Sequence, residues 1–215
     1  MKKAIVLGGT RGIGGAISES LNKININVQA YSSSEVDTGD LNDIDWVVKN
    51  NSNVDVLVLN TGGPPAIDFY EIDKGTWEKY HNQVFLGFVR LLQQIEINDG
   101  GYVFLISSFN IKEPDPKLIL SNCYRLAFVS VFKSLSKILA KRKISFVNIA
   151  PGPIDTDRLT SLGVNIEELA KKLPMGYVAP PSEIGEFVSS IVDKEIKYLS
   201  GVTINFDGAA GNYVL

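Results

Sequence analysis

The chain has 215 residues, 45% of them hydrophobic, with 21 basic against 24 acidic side chains and a formal charge of -3. That is the size and apolar content of one soluble globular domain, 1–215, and the slight acidic excess argues against a nucleic-acid partner held through phosphate contacts. Cys123 is the only cysteine, so no intramolecular disulfide can form; the apolar run in "MKKAIVLGG" is too short for a secretory signal, and no stretch approaches the roughly 20 apolar residues of a membrane span. The expected setting is the cytoplasm.

Short β-branched runs alternate with longer helical patterns, the signature of βαβ units and a parallel sheet covered on both faces. In chain order, strands are predicted at 4–8, 28–32, 54–60, 102–107, 144–150 and 203–207. Their nearly continuous apolar character fits strands buried on both sides. Helical spacing covers 14–24, 75–97, 118–141 and 182–193, with a looser helical insertion at 157–172. "SSSEVDTGD" leads from the second strand almost directly to the next element, with no room for a helix there.

Directly after the first strand, "VLGGTRGIGGAI" sets Gly8, Gly12 and Gly14 at the opening of a helix. Glycines at such a turn let the backbone approach a pyrophosphate, and the helix N-terminus offers free N–H groups and a positive dipole end. The glycines fall at positions 1, 5 and 7, a spacing that resembles the Gly-x-x-x-Gly-x-Gly of the short-chain dehydrogenase/reductase family. Further stretches resemble that family in the right order. "NTGG" (60–63) is similar to its Asn-Asn-Ala-Gly segment and "VDTGD" (36–40) to its adenine-contacting Asp segment. "APGPIDT" (150–156) resembles its Pro-Gly turn toward the nicotinamide, and "YLSGVTINFDGA" (198–209) its closing strand. Overall similarity is nearest to the 3-oxoacyl-acyl-carrier-protein reductase branch.

The resemblance implies an α/β fold, a Rossmann-type doubly wound parallel sheet in three layers, and a nicotinamide dinucleotide. Its expected contacts are Gly8, Thr10, Arg11, Gly12, Ile13, Gly14, Ser32, Ser33, Asp37, Thr38, Asn60, Thr61, Gly62, Arg125, Pro151, Gly152, Ile154 and Thr156. An acid at the end of the second strand would bond the ribose 2'-hydroxyl and repel a 2'-phosphate, but the strand ends Tyr31, Ser32, Ser33, Ser34. Those hydroxyls tolerate a phosphate and Arg11 can pair with it, so NADP is expected over NAD, with nearby Glu35 as the opposing feature.

In the family a Tyr-x-x-x-Lys pair and a Ser after a strand carry the chemistry, often with an Asn. Counting back from "APGPIDT" without a gap puts the Lys position at Arg125 and the Tyr position at Ser121, with Ser108 thirteen residues before Ser121. Taking Tyr124 as the family Tyr would give it Phe128 as a partner, which can neither hold a ribose nor shift a pKa. The quartet therefore reads Val84, Ser108, Ser121, Arg125. A serine is a much poorer proton donor than a phenol, and Arg stays charged without joining a proton relay. Tyr124, leaning back along the helix, could replace the missing phenol or could simply pack against a neighbour. Arg125 could hold the ribose, or a substrate carboxylate or phosphate. His81, alone on a long helix, is expected to be structural or exposed.

Segment 157–185 takes the place of the family's substrate lid, and "GGPPAIDFY" (62–70) that of the rim near the nicotinamide. The resulting expectation is an NADP-dependent oxidoreductase acting on a small-molecule carbonyl or alcohol, with an atypical site, in a homodimer or homotetramer. The rival is a catalytically degenerate NADP-binding sensor or partner subunit. A structural scaffold is the third reading.

Overall fold

In the computed structural model, which describes residues 1–214, strands β1 (Lys3–Leu7), β2 (Asn27–Tyr31), β3 (Val54–Leu59), β4 (Ile97–Ile106), β5 (Ser145–Pro151) and β6 (Val202–Phe206) form one sheet in the order β2-β1-β3-β4-β5-β6. Every neighbouring pair is parallel. Because side chains alternate across a strand, each central strand feeds two cores. Ile5, Leu7, Leu57, Leu59, Val103, Leu105 and Phe146 face one layer, while Ala4, Val6, Val56, Val58, Phe104, Val147 and Ile149 face the other.

The first layer is built from α2 (Leu41–Asn50), α4 (Gly87–Gln94) and α5 (Ile119–Ile138), which contribute Ile44, Val47, Phe88, Leu91, Phe128 and Phe132. The second is built from α1 (Gly12–Lys23) and α8 (Pro181–Asp193), through Ile17, Leu21, Ile184, Val188, Ile191 and Val192. Gly185 marks their closest approach, since a Cβ there would lie 2.5 Å from the Ala16 carbonyl oxygen. The three-layer α/β class expected from the sequence is the class observed.

Several details differ from the sequence reading. Helix α2 was not expected: its buried face is only Ile44 and Val47, and its start is fixed by Asp40, whose carboxylate accepts from the Asn42 amide. The helix expected at 75–97 is α3 (Lys74–His81), a π-helical turn at Asn82–Leu86 and α4, and it stops at Gln94 because Ile97 already pairs with Val54 on β3. The looser insertion resolves into two short helices, α6 (Asp157–Ser161) and α7 (Ile166–Ala170). The stretch Pro116–Ile138 is long and apolar enough to cross a membrane by length and composition alone, contrary to the sequence reading. In the fold it is a core helix packed on the sheet through Phe128 and Phe132.

Strand order reverses at β1, whose neighbours are β2 on one side and β3 on the other. In open parallel sheets that switch point, beyond the carboxyl ends of the strands, is where ligands bind. The loops after β1, β3, β4 and β5 all open onto this edge.

Candidate active site

The turn after β1 is built to let something approach its backbone. Gly8 and Gly12 have φ of 56° and 54°, the left-handed region that suits glycine. A Cβ on Gly14 would lie 2.1 Å from the Gly8 carbonyl oxygen, so the start of α1 presses directly on the turn. Asn60 donates from Nδ2 to that same carbonyl at 3.0 Å and ties the ends of β1 and β3 together. Helix α1 has no acid in its first turn and no side-chain cap at Arg11, which leaves N-terminal N–H groups free for an anion. Ile13 turns back to pack on the core, while Thr10 is exposed. A shaped backbone cradle, a positive helix end and free donors together fit a pyrophosphate.

The second wall comes from the Pro-Gly turn. Pro151 ends β5, and the Gly152 amide donates to the Phe206 carbonyl at 3.0 Å. A side chain at 152 would strike Asp207, with Cα and Cβ both 2.8 Å from the added atom. Ile154 is buried and bridges to Ala179, and Thr156 brings its methyl to within 3.4 Å of where a Gly12 Cβ would stand. The glycine turn and the Pro-Gly segment thus face each other across one cleft. Arg11 reaches over it to Asp157 at 3.7 Å, an exposed pair of little energetic weight.

After β2, Ser32 and Ser34 are engaged with each other. The Ser32 amide and hydroxyl both donate to one oxygen of Glu35, at 2.8 and 2.6 Å, and Ser32 also meets the Ser34 hydroxyl at 2.9 Å. The Ser32 hydroxyl, and then its amide, hold the Glu35 carboxyl below its ordinary range, so it is ionised at neutral pH. Ser32 is thus engaged by Glu35 and Ser34, while Ser33 is exposed.

The 36–40 segment is wired to the centre of the site. Asp37 accepts from the Gly39 amide, and Thr38, nearly buried, donates to the Gln83 carbonyl at 2.9 Å. The Thr61 hydroxyl lies 2.9 Å from that of Thr38 and accepts from Gln83 Nε2 at 3.3 Å, which also donates to the Gly62 carbonyl at 3.0 Å. Gln83 sits in the π-helical turn beside buried Val84, a local form that recurs at functional sites. Sequence reading did not single out Gln83; an amide one residue before the position occupied by Val84 was the available signal.

Ser121 and Arg125 lie one turn apart on α5, both 8% exposed. Arg125 donates from Nε to Ser121 Oγ at 3.2 Å, from Nη1 to the Ile106 carbonyl at 2.8 Å, and from Nη2 to the Thr61 carbonyl at 3.4 Å. Because Ser121 Oγ accepts from the guanidinium, its own proton is free to be donated. Burial, and then repulsion from Arg158, pull Arg125 down to about 10, which leaves it cationic at neutral pH. Ser108, just beyond β4, accepts the Asn110 amide at 3.2 Å and likewise keeps a hydroxyl proton to donate.

Tyr124 is not brought to this cluster. Its hydroxyl donates to the Trp77 carbonyl at 3.1 Å, and its ring packs edge-on against Trp77 and His81. Burial raises its pKa, which suits a structural phenol better than an acid poised to give up a proton. The substitute role considered for Tyr124 is therefore not supported by the geometry. His81 belongs to the same aromatic group and stacks on Phe85.

The lid expected at 157–185 supplies Arg158, a residue the sequence did not mark. Arg158 leaves α6 and donates to the Pro64 carbonyl on the opposite rim. A cavity of about 330 Å³ between the lid and the end of β6, lined by Leu173, Met175, Tyr177 and Phe206, includes none of Ser108, Ser121 or Arg125. Arg125 lies instead on the side of the 62–70 rim, its Nη2 3.7 Å from where a Gly63 Cβ would stand.

A six-stranded parallel sheet with helices on both faces and a glycine turn at the switch point defines a Rossmann-type protein. Known proteins narrow this further. A family model described as enoyl-(acyl carrier protein) reductase matches residues 41–209. The 3-oxoacyl-[acyl-carrier-protein] reductase MabA of Mycobacterium bovis is 25% identical over 98% of this chain and 93% of its own. Among solved structures, a short chain dehydrogenase family protein from Francisella tularensis superposes with a TM-score of 0.84 at 24% identity, covering 97% of this chain and 98% of that one. A short chain dehydrogenase from Burkholderia cenocepacia, solved in complex with NADP, gives 0.83 at 20% identity over 96% of each chain. The chain belongs to the short-chain dehydrogenase/reductase family of oxidoreductases.

Proposed function

We propose that this protein is an NADP-dependent oxidoreductase that reduces a carbonyl or oxidises an alcohol with a serine–arginine pair where its relatives use tyrosine and lysine. The carrying observation is the arrangement on α5: a buried guanidinium bonded to Ser121 Oγ, at the same sheet edge as the glycine cradle and Ser108. Gly8, Gly12, Gly14 and the α1 N-terminus would hold the pyrophosphate. Asp37, Thr38, Asn60, Thr61 and Gly62 would border the adenosine and ribose portions, and Pro151, Gly152, Ile154 and Thr156 the nicotinamide. When bound, the nicotinamide supplies or accepts the hydride.

The chain's own residues handle the oxygen. The Ser108 hydroxyl donates to the carbonyl oxygen and fixes it. Ser121 Oγ, polarised by Arg125 Nε, passes its proton to the developing alkoxide and recovers one from water. In the oxidative direction the proton runs the other way. Arg125 holds its fixed charge beside that oxygen and anchors the loop after β3 through the Thr61 carbonyl. A positioned general acid contributes ~10²–10⁴-fold, so a serine in this role is consistent with slower turnover than a phenol would give.

NADP is favoured by Arg11, whose guanidinium is exposed and only loosely paired with Asp157, and by the exposed Ser33 after β2. Glu35, folded onto Ser32, tempers that preference without reversing it. NADP in the Burkholderia cenocepacia structure is consistent with this reading. Leu126 and Ile138, exposed apolar residues on α5, suit burial in a homodimer or homotetramer.

Titration with NADPH and NADH, followed by cofactor fluorescence and then by cofactor consumption against a panel of ketones and aldehydes, tests the reading. NADPH binding with turnover of at least one carbonyl supports it. NADPH binding without any turnover, restored by the paired change Ser121→Tyr and Arg125→Lys, favours the degenerate sensor or partner subunit, which the diversion of the Tyr124 hydroxyl to Trp77 makes a specific alternative. Failure to bind either cofactor removes both.

A further inference from the structure

Two guanidinium groups from opposite sides of the cleft close on one point. A Cβ built on Gly63 would stand 3.7 Å from Arg125 Nη2 and 3.5 Å from Arg158 Nη2. Neither arginine has a carboxylate partner among the described residues: the ion pairs formed by arginines involve Arg11, Arg90 and Arg142. Arg125 spends its bonds on a hydroxyl and two carbonyls, and Arg158 on the Pro64 carbonyl. A guanidinium carries five N–H donors in a fork shaped for planar anions, so donors are left over on both heads.

Burying like charges beside each other without a counter-charge is unfavourable. Here burial lowers both pKa values, and Arg158 lowers that of Arg125 further; the one titratable neighbour with an opposing influence on Arg158 is Tyr80, a phenol on α3. An anion between the two heads would remove the repulsion and use the spare donors. The pyrophosphate cradle is elsewhere, at Gly8–Gly14 and the start of α1. Gly63 instead follows the loop anchored by Arg125, and Arg125 adjoins Ser121, so the anion would sit next to the reacting oxygen.

We propose that Arg125 and Arg158 form an anion subsite over Gly63 that takes a carboxylate or phosphate on the substrate, making the substrate an acid-bearing carbonyl compound or its alcohol. This rests on the oxidoreductase reading for the identity of the anion, though not for the existence of the site. A glycine at 63 leaves the space between the heads open, and a planar carboxylate offers each fork an oxygen. A neutral ketone or thioester has nothing to place there.

The test compares acetoacetate with its neutral methyl ester, and uses inorganic phosphate as a second anion. Binding to the wild type, Arg158→Gln and Arg158→Lys is measured by calorimetry with NADP⁺ present and absent, with NADPH affinity measured for each. The wild type should bind acetoacetate at least tenfold more tightly than the ester, a loss of one charge-assisted contact being of that order. Arg158→Gln should erase the difference and the phosphate affinity, Arg158→Lys should keep part of both, and NADPH affinity should stay within twofold. Circular dichroism melts establish that each variant is folded. Two results overturn the proposal: a wild type that binds neither anion better than Arg158→Gln does, or an Arg158→Gln protein whose NADPH affinity falls tenfold, which would assign the pair to the cofactor's phosphates. A wild type that prefers acetoacetate to the ester without binding NADPH would refute the oxidoreductase reading and leave the subsite standing.

Discussion

Changing Glu35 to Gln should raise NADPH affinity about tenfold while moving NADH affinity by less than about twofold. Glu35 lies four residues beyond the end of β2 and is clasped to Ser32 by bonds of 2.8 and 2.6 Å. That is the region where a dinucleotide's 2'-phosphate would lie. A carboxylate and a doubly charged phosphate repel each other across water, so removing the carboxylate's charge should strengthen NADPH binding on the order of tenfold and leave NADH binding nearly unchanged. Gln keeps a carbonyl oxygen to accept from Ser32, so the turn itself should persist. Fluorescence titrations at low salt measure the change, and raising the ionic strength should shrink it because the charges are exposed. A fall in NADPH affinity would refute this reasoning, since it would mean that the Glu35 clasp prepares the serines to receive the phosphate and does not oppose it.

Three other changes have definite outcomes. Gly14→Ala would drive a methyl to 2.1 Å from the Gly8 carbonyl, so urea unfolding should show a loss of ~1–3 kcal/mol and dinucleotide binding should drop sharply. Tyr124→Phe should cost about 0.5–1.5 kcal/mol through the lost bond to the Trp77 carbonyl and leave turnover unchanged; a large fall in turnover would return Tyr124 to the chemistry. Burial, with repulsion from Lys2 as the lesser cause, lowers Lys197 to about 8, and its ammonium stands over the Tyr102 ring at 3.3 Å. A cation whose pKa is depressed by folding penalises the fold below that pKa and is relieved as pH rises toward its unfolded value. The stability of Lys197→Met relative to wild type should therefore decline between pH 8 and about 10.5, as followed by thermal melts at stepped pH.

How far the sequence could be read depended on whether the cause was local. Strands β1 and β3 and the 102–106 half of β4 are nearly continuous apolar runs because both faces are covered, and the glycine turn is legible because Gly8, Gly12 and Gly14 lie within seven residues. Helix α2 was missed because it buries just Ile44 and Val47, and its capping Asp40 reads equally well as part of a loop. The end of the 75–97 helix was overrun because Leu91, Leu92 and Ile95 keep helical spacing up to a residue that the sheet claims. Ser121 and Arg125 could be placed by counting, since they share a helix with fixed geometry. The direction of the Tyr124 hydroxyl could not, because it is decided by Trp77 on another element. Arg158 had no local signal at all: its partner Pro64 and its neighbour Gly63 lie more than ninety residues away.

The short link between β2 and α2 also bears on how this protein could be altered. With no helix between Tyr31 and Asp40, Thr38 is drawn so close to α4 that a Cβ on Gly87 would fall 1.8 Å from the Thr38 carbonyl oxygen. The hydroxyl of Thr38 reaches Thr61 and the Gln83 backbone, and the Thr61 carbonyl reaches Arg125. Residues that would border the adenosine and residues that would move the proton are thus joined by consecutive bonds. An engineer who replaces the 36–38 segment would disturb the setting of Arg125 and Ser121 in the same stroke, whereas changes at Arg11, Ser33 or Glu35 lie outside that chain of bonds.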